Sequence, residues 1–137
     1  MTHRPNGFHT ATPYLIVKDA ERAVEFYKKA FDARELTRFT DADGQLRNVE
    51  ILIGDSPVMI SGHAEVHSNE SASLADLPPV SIYLYVEDTD DWFNRAVSAG
   101  GIELYPPTDQ PYGNRECGLR DPFGIVWWIA TKLVKVL

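Results

Sequence analysis

The stretch "YLIVKDAERAVEFY" at residues 14–27 returns as "YLYVEDTDDWFNRA" at residues 83–96. Tyr14, Leu15, Val17 and Asp19 are matched by Tyr83, Leu84, Val86 and Asp88 at an offset of 69 residues, about half the chain. An internal repeat constrains a fold more than composition does, because each copy has to form the same unit. Glu35-Leu36 and Glu103-Leu104 correspond at an offset of 68, so the register slips by a single residue. All β-α units share some pattern. Five elements in the same order at a nearly constant offset indicate duplication.

The elements follow from periodicity. "TPYLIV" (12–17) is a β-rich run, with Pro13 tolerated near a strand start. From Asp19 to Phe31 the apolar residues Ala23, Val24, Phe26, Tyr27, Ala30 and Phe31 recur at helical spacing, with Asp19 as N-cap. Strands are predicted at 35–40, 47–53 and 57–62, separated by the turns "DADGQ" and "GDS". The second half repeats this with a strand over 80–86, a helix from Asp88 to about Ala99 stopped by Gly100 and Gly101, and strands at 102–106, 113–120 and 124–130. Each half is β-α-β-β-β. Module one covers about 10–62 and module two about 79–132. Residues 63–78, polar and rich in Ser and Glu, form the connector.

Composition excludes several function classes. The chain has 137 residues, enough for one domain with a real core, and 44% hydrophobic content fits a globular protein. No apolar run approaches the roughly 20 residues that cross a bilayer, and "MTHRPNGFHTATP" has no signal-peptide core. A cytoplasmic protein with no membrane partner is expected. Twenty acidic against 13 basic residues give a net charge of −7, which argues against nucleic-acid binding and favours cationic or neutral ligands. The single cysteine, Cys117, offers neither an internal disulfide nor a metal cluster, and its strand-like context suits a small buried hydrophobe. No Ser-His-Asp arrangement, P-loop or GxGxxG occurs.

Three segments carry a family resemblance: "VKDAERAVEFYKKAF", "VEDTDDWFNRAVSAGG" and "RDPFGIVWWI". They resemble the vicinal oxygen chelate superfamily, which includes glyoxalase I, bleomycin-resistance proteins, fosfomycin-resistance enzymes and extradiol dioxygenases. "TPYLIVKDAERAVEFYKKAFDA", "VEILIGDSPVMIS" and "YGNRECGLRDPFGIVWWIAT" are most similar to its PhnB-like group. The resemblance, over about residues 10–132, implies an α+β fold in which two tandem βαβββ modules make a cup-shaped mixed sheet with helices outside. It also implies a homodimer and a small-molecule ligand in the cup.

Metal-dependent members place one ligand on the first and one on the last strand of each module. Those positions are Thr12, Met59, Ser81 and Trp128 here. Divalent ions want carboxylate oxygen or imidazole nitrogen, so no metal and no cofactor are expected. Strand alternation from these positions puts Tyr14, Ile16, Tyr83, Tyr85, Pro57, Ser61, His63, Val126 and Ala130 in the cup, with Asn48, Glu50 and Leu52 on the third strand. The related group also brings the "DQPYGNRE" segment, with Tyr112 and Arg115, near the ligand. Such a lining serves a small-molecule pocket or simply fills a small barrel.

Glu50 is the one catalytic candidate. A carboxylate among aliphatic neighbours is costly to bury unless paired, and burial of that kind is how a carboxyl becomes a general base. The alternatives are an ion pair with Arg47, Arg115 or Arg120, or exposure at a strand end. A Glu50/His63 pair could make an improvised metal or acid–base site; a solvated His63 beside the connector is the other reading. Three functions are left open: a metal-free binder of a drug or metabolite, a metal-independent isomerase or lyase working through Glu50, and a metal-dependent enzyme with an atypical site.

Overall fold

The computed structural model describes residues 3–62 and 77–133. The chain divides into two compact units, Met1–Ser68 and Asn69–Leu137.

The first unit runs β1 (Tyr14–Val17), α1 (Ala20–Phe31), β2 (Arg34–Thr40), β3 (Leu46–Ile53) and β4 (Ser56–Gly62). Its sheet has the order β1-β4-β3-β2, parallel at β1/β4 and antiparallel elsewhere. The Asp19 carboxylate caps α1 by accepting the Arg22 N–H at 3.1 Å. The helix ends at Asp32, whose left-handed φ of 54° is one that aspartate tolerates better than most non-glycine residues. Ala23, Val24, Phe26, Tyr27, Ala30 and Phe31 are buried, with Tyr27 and Phe31 stacked at 5.9 Å. Leu15, Val17, Val49, Ile51, Ile53, Val58 and Ile60 are buried too, so the alternation of β1 and β3 assigns one face of the sheet to the core.

The second unit repeats the plan: β5 (Ile82–Tyr85), α2 (Thr89–Ser98), β6 (Ile102–Asp109), β7 (Asn114–Arg120) and β8 (Val126–Lys132). The order is β5-β8-β7-β6, again parallel only at β5/β8. Two tandem βαβββ modules, each a four-stranded mixed sheet with one helix, are therefore present. The register repeats as well, since Tyr14 pairs with Met59 and Tyr83 with Trp128. Asp88 caps α2 through the Asp91 N–H, as Asp19 caps α1. The turn before β8 is built on the buried Asp121. It accepts the N–H groups of Phe123 and Ile125 on Oδ1 and the Trp127 indole N–H on Oδ2.

Element bounds depart from the sequence reading in two informative places. The strand expected at 102–106 continues to Asp109 through Pro106 and Pro107. It lies at the sheet edge and is bulged between Tyr105 and Thr108, where prolines lose no ladder hydrogen bond. The strand expected from Gly124 begins at Val126, because Gly124 takes a positive φ of 94° in the Asp121 turn. No helix among the described residues is long and apolar enough to cross a membrane.

Candidate functional site

The face of the second sheet turned away from its core carries the chemistry. Along β7, Cys117 and Leu119 are wholly buried with the core residues of β8, which leaves Asn114, Glu116 and Gly118 on the opposite face. Burial pushes the Cys117 thiol up to about 12, so it acts as packing. Across the strands one row reads Tyr83, Trp128, Gly118, Tyr105, and the next reads Tyr85, Ala130, Glu116, Thr108. The glycine is required there. A Cβ at Gly118 would lie 2.8 Å from both the Trp128 and Tyr105 rings, which stack over it with centroids 6.0 Å apart.

Glu116 is the centre of this face. It is 6% exposed and accepts hydrogen bonds from three phenols: Tyr83 at 2.5 Å and Tyr112 at 2.8 Å on Oε1, and Tyr105 on Oε2. Burial disfavours its charge. The bonds from Tyr105, Tyr83 and Tyr112 outweigh that, and the carboxyl titrates below the usual glutamate range. Burial and the Glu116 acceptor in turn push the Tyr83 and Tyr105 hydroxyls well above their ordinary value, and the bond to Glu116 raises Tyr112. Asn114 donates to the Tyr83 oxygen at 2.9 Å and to that of Tyr85 at 3.4 Å, and the Tyr83 and Tyr85 rings sit 5.2 Å apart. An open groove of about 650 Å³ is lined by Tyr85, Tyr112, Gly113, Asn114, Lys132 and Leu133.

The sequence-derived candidates divide clearly. Tyr83, Tyr85 and Tyr112 join this cluster, and Trp128 stacks on Tyr105 while donating its indole N–H to Ser81 Oγ at 2.7 Å. Arg115 does not join it. Strand parity turns its side chain to the α2 side, where Asp90 and Asp109 bind it at 2.8 and 3.0 Å, and it holds the Asp90 carboxyl below its ordinary range. In the first unit, Tyr14, Met59, Glu50 and Thr37 form one cross-strand row. Glu50 is half-buried and accepts from Thr37 Oγ1 at 2.8 Å. The arginines considered as its partners are engaged elsewhere: Arg47 with Asp41, Arg115 with Asp90 and Asp109, and Arg120 with the Gly124 carbonyl. Ser61 is wholly buried, with no hydrogen-bond partner for its Oγ among the described residues, so it offers no accessible contact. Thr12 is half-buried ahead of β1. His63 lies outside the described residues.

Sequence reasoning missed Glu116, Tyr105 and Asn114. The signal was available, because the offset of 68 that carries Leu36 to Leu104 also carries Asn48 to Glu116. Applying alternation to β7 as to β3 selects Glu116.

The four positions that the family resemblance makes counterparts of metal ligands have no suitable donor set. Thr12, Met59, Ser81 and Trp128 bring no carboxylate or imidazole, and the Ser81 hydroxyl already accepts from Trp128. Among the described residues no three His, Cys, Asp or Glu side chains converge.

Comparison with known proteins agrees with this architecture. Residues 8–129 match the model of the glyoxalase/bleomycin resistance protein/dioxygenase superfamily. The chain belongs to that superfamily. It is 38% identical over 119 residues to the uncharacterized protein Mb0911c of Mycobacterium bovis, covering 85% of this chain and 78% of that one. Among solved structures, TioX from Micromonospora sp. ML1 aligns with a TM-score of 0.68 at 27% identity, over 94% of this chain and 100% of its own. A PhnB protein from Bacillus cereus, described as a putative 3-demethylubiquinone-9 3-methyltransferase, aligns with a TM-score of 0.68 at 19% identity, over 90% and 99%. The fosfomycin resistance protein FosX from Listeria monocytogenes reaches 0.72 at 16% identity, over 92% and 94%. The last two likenesses concern the fold alone.

Proposed function

We propose that this protein is a metal-free small-molecule binder of the bleomycin-resistance type, holding an aromatic or apolar drug or metabolite by stacking. The observation that carries this reading is the gathering of Tyr83, Tyr85, Tyr105, Tyr112 and Trp128 on one sheet face around the buried Glu116. Rings supply contact area at low entropic cost, and a few fixed polar atoms orient what stacks on them. The depressed titration of Glu116 suits an anchor better than a general base. A cytoplasmic homodimer is part of the proposal, on the family resemblance, and sedimentation analysis tests its oligomeric half.

The test is titration of the purified protein with a panel of aromatic compounds, followed by mass analysis of the recovered ligand. Binding should leave the ligand unchanged. Trp128→Ala should weaken it by more than about tenfold, and Glu50→Gln by less than that. A compound that is converted, with a rate falling on the order of 10²–10⁴-fold in Glu50→Gln, would replace binding by isomerase or lyase chemistry at Glu50. Elemental analysis giving about one Zn, Ni, Mn or Fe per chain would overturn the metal-free part.

A further inference from the structure

Among the described residues no ion pair reaches the Glu116 carboxylate at the centre of the tyrosine cluster. Tyr83, Tyr105 and Tyr112 all donate to Glu116, and these bonds lower its carboxyl below the usual glutamate range against the cost of burial. The guanidinium adjacent in sequence is committed: Arg115 lies on the other side of the sheet, ion-paired with Asp90 and Asp109. Lys132 lines the groove, but it is exposed, so solvent screens its charge far more than that of a carboxylate 6% exposed. The rings remain available: Tyr83 is 41%, Tyr112 60% and Tyr85 67% exposed. An aromatic face is negative at its centre, and phenols that donate to a carboxylate are richer in electrons still. Aromatic rings around a buried anion are the recognition chemistry of ammonium ions.

We propose that the ligand of this face is a cation, a small amine or quaternary ammonium compound whose positive charge rests against the tyrosine rings and neutralises Glu116. The inference rests on the binding reading above and names the ligand class for the same site. An anionic ligand would meet the carboxylate. A neutral one would gain the stacking area and leave the charge as it is.

Two probes of nearly equal shape separate the charge from the area: (4-hydroxyphenyl)trimethylammonium and 4-tert-butylphenol, measured by calorimetry at neutral pH and low ionic strength. The cation should bind the wild-type protein tighter by about tenfold or more. Glu116→Gln should abolish most of that discrimination, and Lys132→Met should widen it by removing the opposing charge at the groove. Equal affinities, or tighter binding of the phenol, overturn the cation inference while leaving the binding function standing. Failure of both probes to bind overturns both. If Glu116→Gln does not fold, the wild-type comparison and the direction of the Lys132→Met effect still decide.

Discussion

Gly118→Ala is the sharpest test of the aromatic row. The added Cβ would lie 2.8 Å from Trp128 Cζ3, 2.8 Å from Tyr105 Cε1 and 2.9 Å from Trp128 Cε3. Contacts under 3.0 Å force something to move, and neither ring moves freely. Trp128 is tied through its indole N–H to Ser81, and Tyr105 through its hydroxyl to Glu116. Relief therefore means breaking one of those bonds, or tilting both rings out of a stack with 29° between their planes. Overpacking of this kind costs about 1–3 kcal/mol. The assay is urea unfolding followed by circular dichroism, where the midpoint should fall with the slope unchanged. A double-mutant cycle sharpens it. In a Trp128→Ala background the same substitution should cost at least about 1 kcal/mol less, since the clash has lost its main partner. A cost below about 0.5 kcal/mol in both backgrounds would refute the stacking of Tyr105 and Trp128 across the glycine.

Two further outcomes follow from the same unit. Because the folded state holds Glu116 below its ordinary range, its contribution to stability is fully present above the unfolded glutamate value of about 4.3 and is lost as pH falls through the folded value. Urea midpoints measured between neutral pH and about pH 3 should therefore decline more steeply in the wild type than in Glu116→Gln, and parallel curves would count against the three-phenol carboxylate. Asp121→Ala removes three acceptor contacts at a buried turn and leaves the Trp127 indole N–H without this partner. It should cost more than about 2 kcal/mol in thermal unfolding, against under about 0.5 kcal/mol for the exposed Asp43→Ala.

Periodicity made the two modules legible, because burial of one face imposes a pattern that survives in the sequence. Alternation that puts Asn48, Glu50 and Leu52 on one face of the third strand leaves Val49, Ile51 and Ile53 to the other, and each of these three is buried. The caps Asp19 and Asp88 were legible for a related reason, since their chemistry is local. The site was legible only in part. Tyr83 and Tyr85 follow from strand parity, whereas Tyr105 lies just before two prolines that read in sequence as a strand end and instead sit in a bulged edge. Arg115 is adjacent in sequence to the central carboxylate and on the wrong face of the sheet for it. The family resemblance puts Arg115 near the ligand; the two-residue period of the strand turns it to the other face.

The two modules diverge in a way that separates folding from chemistry. On the core side, equivalent positions stay apolar: Leu15 and Leu84, Val49 and Cys117, Ile51 and Leu119, Ile60 and Ile129. On the other side they do not. The row Tyr14, Met59, Glu50, Thr37 becomes Tyr83, Trp128, Gly118, Tyr105, and the row containing Asn48 and Ser61 becomes one containing Glu116 and Ala130. The carboxylate has thus moved by one row between copies. The cause is steric as much as chemical, since a side chain at Gly118 would collide with the rings that flank it. Once Trp128 and Tyr105 occupy that row, an acidic residue on β7 has room two residues earlier, opposite the small Ala130, where the three phenols converge on it. In the first unit Met59 and Thr37 leave space for Glu50 in its own row, with one hydroxyl as donor. The same backbone therefore presents a half-buried, singly bonded carboxylate in one module and a buried, triply bonded one in the other. The second combines a buried, triply bonded carboxylate with several exposed aromatic rings, and the proposed binding is placed there for that reason.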